Sequence, residues 1–224
     1  MAERTPKSIE MLQGLEGPSF LASRSQVSEY LTHSPEERAE IAELEREKIE
    51  LIVKVLNHPE LNRLIKENKV TLGMIKPHVE KGRNIAPDQD EAAAQIAQEI
   101  GEEHIIFNQP FFLTEPDLDQ FYGHVKANLT STDRAEIWDG FVDFMSTGPV
   151  NVFLLYFPEG DAVAQWRNLM GPTDPARALS EFPQTIRGRH ATALPDNTVH
   201  GSDSPESVIK EIGFFTKAFQ RLIS

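Results

Sequence analysis

Hydrophobic and polar positions divide the chain into two stretches of different rhythm. Between Pro35 and about Leu56, the residues Ile41, Leu44, Leu51, Ile52 and Val55 recur at helical spacing, with acids and bases interleaved on the opposite side. Ser34-Pro35-Glu36-Glu37 opens this stretch with a capping-box pattern and a proline at the first helical position. The spacing predicts a helix that ends before Asn57-His58-Pro59, and PELNRLIKEN offers a second, shorter one. Before Ser34, polar residues and Gly-containing turns read as an arm or docking strap. Residues 1–69 are therefore expected to form an N-terminal helical extension. It either packs on its own domain or serves as a partner-binding or oligomer-forming element.

From Val70 the rhythm changes to alternating strands and helices. VTLGMIK, EHIIFNQPFFL and VNVFLLYF read as strands, with Pro110 marking an edge or a bulge, and ATAL at 191–194 is a candidate last strand. EAAAQIAQEI, DLDQFYGHVK, TDRAEIWDGFVDFM, DAVAQWRNLM and SPESVIKEIGFF read as helices, and Thr114-Glu115-Pro116-Asp117 and Ser204 supply helix starts. The stretch from Met170 to Arg189, punctuated by Pro and Gly, reads as a long loop. This order suits an α+β fold of ferredoxin-like βαββαβ type over residues 70–224, an antiparallel sheet with helices on one face.

Composition narrows the function. With 35 acids against 22 bases the net charge is −13, which argues against broad binding to nucleic acid. A few cations gathered in one cleft remain compatible with a nucleotide site. There is no cysteine, so disulfides, zinc–thiolate centres and cysteine nucleophiles are excluded. The chain has no apolar run of the roughly 20 residues that a membrane helix needs, and its first residues lack the apolar block of a secretory signal. A cytoplasmic protein is the simplest expectation. The Gly-rich phosphate loops GxxxxGK[ST] and GxGxxG are also missing.

One segment stands out as chemistry. In Asn197-Thr198-Val199-His200-Gly201-Ser202-Asp203-Ser204 a histidine precedes a glycine and small capping residues at the start of a predicted helix. Neutral imidazole, with an ordinary pKa of about 6.5, is a competent nucleophile near neutrality. From the residues alone, a surface-loop histidine beside an ordinary cap fits equally well.

NTVHGSDS followed by SPESVIKEIGFF resembles the active-site stretch of nucleoside diphosphate kinases, N-x-x-H-G-S-D ahead of an acid-rich helix ending E-I-G. GMIKP at 73–77, STGPVNVFLL at 146–155, MGPTDPARA at 170–178 and TIRG at 185–188 resemble further family segments in the family's order. The resemblance covers about residues 70–215. It implies transfer of the γ-phosphate of a nucleoside triphosphate to a nucleoside diphosphate, by a ping-pong route through phosphohistidine on His200, with Mg²⁺ held mainly by the nucleotide phosphates. It implies that Lys76 reaches the sugar and phosphates, that Arg167, Arg187 and Thr173 grip the phosphates, and that Asn197 bonds the sugar. Ser202 and Glu211 would hold the imidazole, and Tyr122 looks like the family's active-site tyrosine. Ile137 or neighbouring Trp138, Phe141 and Leu194 would pack on the base without reading it. A homo-oligomer is also implied, while membranes and specific nucleic acids are not expected partners.

The chain departs from the family pattern in four places. His78-Val79-Glu80 stands where the family has Asp-Gly-Val, and extra residues lie between Tyr122 and Trp138. The loop between Pro175 and Thr185 is longer, and residues 1–69 have no counterpart in short members. These departures keep an alternative open, a weak or inactive nucleotide-binding scaffold that recruits a partner through its N-terminal helices. His190 falls where the family has an apolar strand residue, and it reads as structural.

Overall fold

Capping chemistry sets the helix boundaries. In the computed structural model, which describes residues 32–77, 96–130, 137–192 and 194–224, α1 spans Pro35–Leu56. The Ser34 hydroxyl accepts from the Glu37 N–H, and the Glu37 carboxylate accepts from the Ser34 N–H. The pair satisfies donors that a helix start otherwise leaves open. Asn57 ends α1, and α2 restarts the chain over Pro59–Lys66. Thr114 and Asp117 repeat the reciprocal cap ahead of α3, Glu115–Ala127. Residues 96–100 are helical, α4 spans Asp139–Met145 and α5 spans Ala162–Met170, capped by Asp161. The predicted strap before Ser34 and the divergent segment at 78–90 fall on residues 1–31 and 78–95, outside the described residues, as do 131–136 of the extra hairpin residues.

Four strands, β1 (Val70–Ile75), β2 (Ile105–Phe111), β3 (Val150–Tyr156) and β4 (Val199–Gly201), form an antiparallel sheet in the order β2-β3-β1-β4. This is the order that a ferredoxin-like βαββαβ path produces. Pro110 lies on the edge strand β2, where a missing N–H is tolerated. The irregularity in that strand is at Ile105–Phe107, where the register shifts.

Both faces of the sheet are covered, where the sequence suggested one. Leu72, Met74, Val152 and Leu154 point into a core shared with α1, α2 and the last helix, α8 (Pro205–Ile223). Phe153, Leu155 and Ile75 point the other way, onto Ile96, Ile100, Trp166 and Met170. The helices at 96–100 and in α5 thus lie on one face, and the N-terminal helices take the face that a two-helix ferredoxin-like unit would leave bare. Ile49, Ile52, Val55 and Leu56 of α1 are all buried in this core. At about 1.5–3 kcal/mol of gross transfer energy each, they make α1 part of the fold's interior. Leu44, expected on the inward stripe, is exposed instead, and Glu45 takes the inward position and bonds Gln109 of β2.

Two further expectations give way. The segment 191–194 is not a strand, Ala193 being outside the described residues, and the fourth strand lies later, at the histidine segment itself. The expected loop from 171 to 189 holds two short helices, α6 (Pro175–Glu181) and α7 (Ile186–His190). Asp174 and Thr185 cap them, so the polar residues that suggested a loop are the signals of helix starts.

Candidate active site

His200 sits in the middle of β4, paired with Met74, rather than at the helix start the sequence suggested, and α8 begins five residues later, after the Ser204 cap. Its side chain emerges on the α8 side of the sheet. Imidazole Nε2 lies 3.1 Å from Glu211 Oε2, and the same oxygen accepts the Ser202 hydroxyl at 2.7 Å. An ionised carboxylate only accepts, so Nε2 carries the proton and Nδ1 keeps the lone pair. The rings of Phe121 and Tyr122 stand edge-on to the imidazole, with centroids 5.3 and 5.6 Å away. Ser202 and Glu211 thus meet on the Nε2 side of the imidazole, and Nδ1 has no hydrogen-bond partner among the described residues.

A buried cationic group flanks this strand. Lys76, just past β1, donates through Nζ to Asn197 Oδ1 at 2.6 Å and lies 5.8 Å from the Phe141 ring centre. Burial, then repulsion by Arg187, pulls its pKa down to about 7, and Asp196 offsets part of that. Arg187 on α7 donates to the carbonyls of Asn197, Gly171 and Val199, at 3.3, 2.8 and 2.9 Å. Gly171 reaches its place with a φ of +80°, a conformation glycine adopts without steric cost. Burial and then Arg167 lower the Arg187 pKa to about 10, so the guanidinium stays charged at neutrality. Three of its five N–H groups have backbone partners, and the other two have none among the described residues.

Arg167 on α5 is solvent-exposed and close enough to act on both Arg187 and Asp203. The Asp203 carboxyl is held low mainly by the Ser207 hydroxyl, with Arg167 contributing. Asn197 spends its carboxamide within the protein: Oδ1 takes Lys76 and Nδ2 donates to the Thr173 carbonyl at 3.2 Å. Thr173 itself is exposed, and it joins this group through that backbone oxygen.

The apolar side is arranged in steps. Tyr122 is buried against Phe141, 4.9 Å between ring centres, and Trp138 packs on the far side of Phe141 at 5.5 Å. Burial, reinforced by Glu211, pushes the Tyr122 phenol well above its ordinary pKa, so it stays protonated. Ile137 and Leu194 are open to solvent, and Leu194 precedes the Pro195 whose carbonyl also accepts from Lys76 at 3.4 Å. His190, at the end of α7, bonds Glu99 and does not join the group around His200.

Sequence reasoning missed Phe121, whose ring shares the wall of the imidazole with Tyr122, and Trp166, whose indole donates to the His200 carbonyl. Trp166 carries a readable signal in its place directly before Arg167. Phe121 carries none, because one more aromatic on a helix face reads as core.

Among the described residues no group of three or more His, Asp or Glu side chains could hold a metal ion, and no helix is long and apolar enough to cross a membrane. Comparison with known proteins gives one consistent result. Residues 69–220 match the family model "Nucleoside diphosphate kinase". The chain is 32% identical over 158 residues to nucleoside diphosphate kinase 6 of Danio rerio, covering 70% of this chain and 81% of that protein. It is 38% identical over 149 residues to a nucleoside diphosphate kinase of Campylobacter hominis, covering 65% and 93%. It also matches thioredoxin domain-containing protein 6 of Mus musculus at 32% over 152 residues, 67% of this chain but only 42% of that longer protein. Among solved structures, the Aquifex aeolicus nucleoside diphosphate kinase superimposes with a TM-score of 0.52 at 30% identity, over 66% of this chain and 94% of the other. Matched over most of its length, and carrying the histidine strand, the capped final helix and the cationic cleft in one antiparallel sheet, the chain belongs to the nucleoside diphosphate kinase family.

Proposed function

We propose that this protein transfers the γ-phosphate of a nucleoside triphosphate to a nucleoside diphosphate through a phosphohistidine on His200. The observation that carries the reading is the tie between Nε2 and Glu211, which leaves Nδ1 as the ring's nucleophilic lone pair beside a buried lysine and arginine. In the first half-reaction Nδ1 attacks the γ-phosphorus in line, the N–P bond forms, and the bond to the bridging oxygen breaks with its electrons leaving on the diphosphate. The ring then bears positive charge, and the Glu211 carboxylate at Nε2 offsets it. In the second half a terminal oxygen of the acceptor diphosphate attacks the same phosphorus, and the electron pair returns to Nδ1.

Phosphoryl transfer asks mainly for alignment and for cations on the spread oxygen charge. The two unspent N–H groups of Arg187, together with Arg167 and Lys76, supply that charge. Magnesium would enter as part of the nucleotide substrate, held by its phosphates. Phe141, with Ile137 and Leu194, offers apolar contact to the base, which every base can use, so broad nucleotide acceptance follows. The alternative role of α1 as a recruiting helix has less to rest on, because its apolar residues near Leu56 are already buried in the domain.

Incubation with γ-labelled ATP and magnesium should give an acid-labile label on the protein that chases onto GDP. His200→Ala should take up none. Label retained in that variant would place the phosphate elsewhere and end this reading.

A further inference from the structure

We infer that Trp166 is a positioning residue for the nucleophile, an inference that rests on the reading of His200 given above. Trp166 is completely buried on α5, on the face of the sheet opposite the imidazole. Its indole Nε1–H donates to the His200 carbonyl at 3.3 Å. Lys76 N–H bonds the Thr198 carbonyl and Ser202 N–H bonds the Leu72 carbonyl, two residues to either side of the Met74–His200 pair. By the alternation of an antiparallel ladder, Met74 and His200 are therefore also a hydrogen-bonded pair. The indole takes the second lone pair of a carbonyl that β1 already engages.

The fit around this bond is close. A Cβ at Gly201 would overlap the indole Nε1 and Cδ1 and the end of Met170, so only glycine lets the ring reach the strand. The next residue after Trp166 is Arg167, on the same helix. The neighbouring carbonyl, that of Val199, is held by Arg187. Both arginines assigned to the phosphate are thus coupled to the backbone of the nucleophile's strand, one through its own guanidinium and one through the indole beside it. β4 has three residues and borders the sheet, so its ladder alone fixes it weakly. The indole bond sets the spacing between the imidazole and the Arg167 helix, and a phosphate held between them depends on that spacing.

The test removes the donor and keeps the shape. Site-specific replacement of Trp166 by 3-benzothienylalanine exchanges N–H for sulfur in a ring of nearly the same volume, and Trp166→Phe serves as the simpler variant. Single-turnover labelling by γ-labelled ATP should slow by about tenfold or more, since small misalignments cost that much. Half-saturating ATP should stay within about twofold, because only alignment is lost. The isostere should also melt within a few degrees of the wild type. A wild-type protein that takes no label sinks the reading of His200 and this inference with it. A wild-type protein that labels, beside an isostere that labels equally fast, sinks the inference alone. So does an isostere whose slower labelling is wholly recovered by raising ATP, since that would be a binding defect.

Discussion

Beneath α1 and α8, the sheet buries side chains that ask only to leave water; at the β4 edge it buries an amine, a guanidinium, a carboxamide and hydroxyls. The first region is redundant. Phe215 and Phe219 touch Phe111 edge-on, and neighbouring helices supply further aliphatic cover, so no single bond direction matters. The second region works only if each polar group meets its partner. Lys76 needs Asn197, Asn197 needs the Thr173 carbonyl, and Arg187 needs three carbonyls. The Thr198 hydroxyl, the Tyr122 phenol and the Trp138 indole N–H go unmatched there among the described residues, each costing about 1–3 kcal/mol. Thr198 also holds a φ of +66°, which a β-branched residue rarely adopts. Stability is built in one region and given up in the other.

The largest effect should come from breaking the redundant side. Phe219→Ala removes a fully buried ring that packs on Phe107 and Phe111, and should cost about 3–5 kcal/mol in urea unfolding. Phosphohistidine formation per folded molecule should hold near the wild-type rate, as the Phe219 ring packs on Phe107, Phe111 and Phe215 rather than on the imidazole. A parallel collapse of that rate in protein still folded by circular dichroism would show that the two regions are one.

Lys76→Met tests the costly side, and its sign is opposite. The lysine titrates near 7 in the folded chain instead of near 10.5. Between those values the unfolded chain binds the extra proton, so wild-type stability rises with pH across that window. Below about 7 the penalty is fully present. Methionine removes it, while leaving Asn197 Oδ1 without its donor gives back about 1 kcal/mol. At pH 6–7 the variant should be more stable by roughly 1–3 kcal/mol, and the gain should shrink as pH approaches 10. Nucleotide affinity should move the other way. Wild-type binding should weaken as pH rises through 7 and the amine loses its charge, and the variant should bind weakly with that pH dependence gone. A variant that melts earlier than wild type at pH 6 would contradict the account.

What the sequence made legible follows the same division. Capping signals are local, so Ser34 and Thr114 located their helices to the residue. Motif residues carried by the resemblance, such as Lys76, Arg187, Asn197, His200 and Glu211, come together around β4. The fourth strand is hidden in the sequence because ATAL has the apolar look of a strand, while Val199–Gly201 is too short and mixed to show a period of two. Its pairing with β1 is decided by partners 125 or so positions away, which local pattern does not reveal. The 171–189 segment reads as a loop because Pro and Asp look like breakers in sequence, whereas in the fold a helix starts on Asp174 and Pro175. Trp166 stands directly before Arg167 in the sequence, but the carbonyl its indole bonds lies 34 positions away, so its bond to the histidine strand is not legible there.

Leu44→Ser should have the smallest effect and sharpens the comparison at the boundary of the core. Helical spacing places Leu44 beside the buried stripe of α1, yet it is 59% exposed. Gln109 on β2 donates to the Glu45 carboxylate at 2.6 Å, so the next position along α1 takes the inward side. Serine there forfeits only a little helix propensity, so the unfolding free energy should change by no more than about 0.5 kcal/mol. That small value holds only if Leu44 faces water in solution. A loss above about 1 kcal/mol that grows with protein concentration would mean that another copy of the chain covers this part of α1, and the helix would then serve both the domain's own core and an assembly.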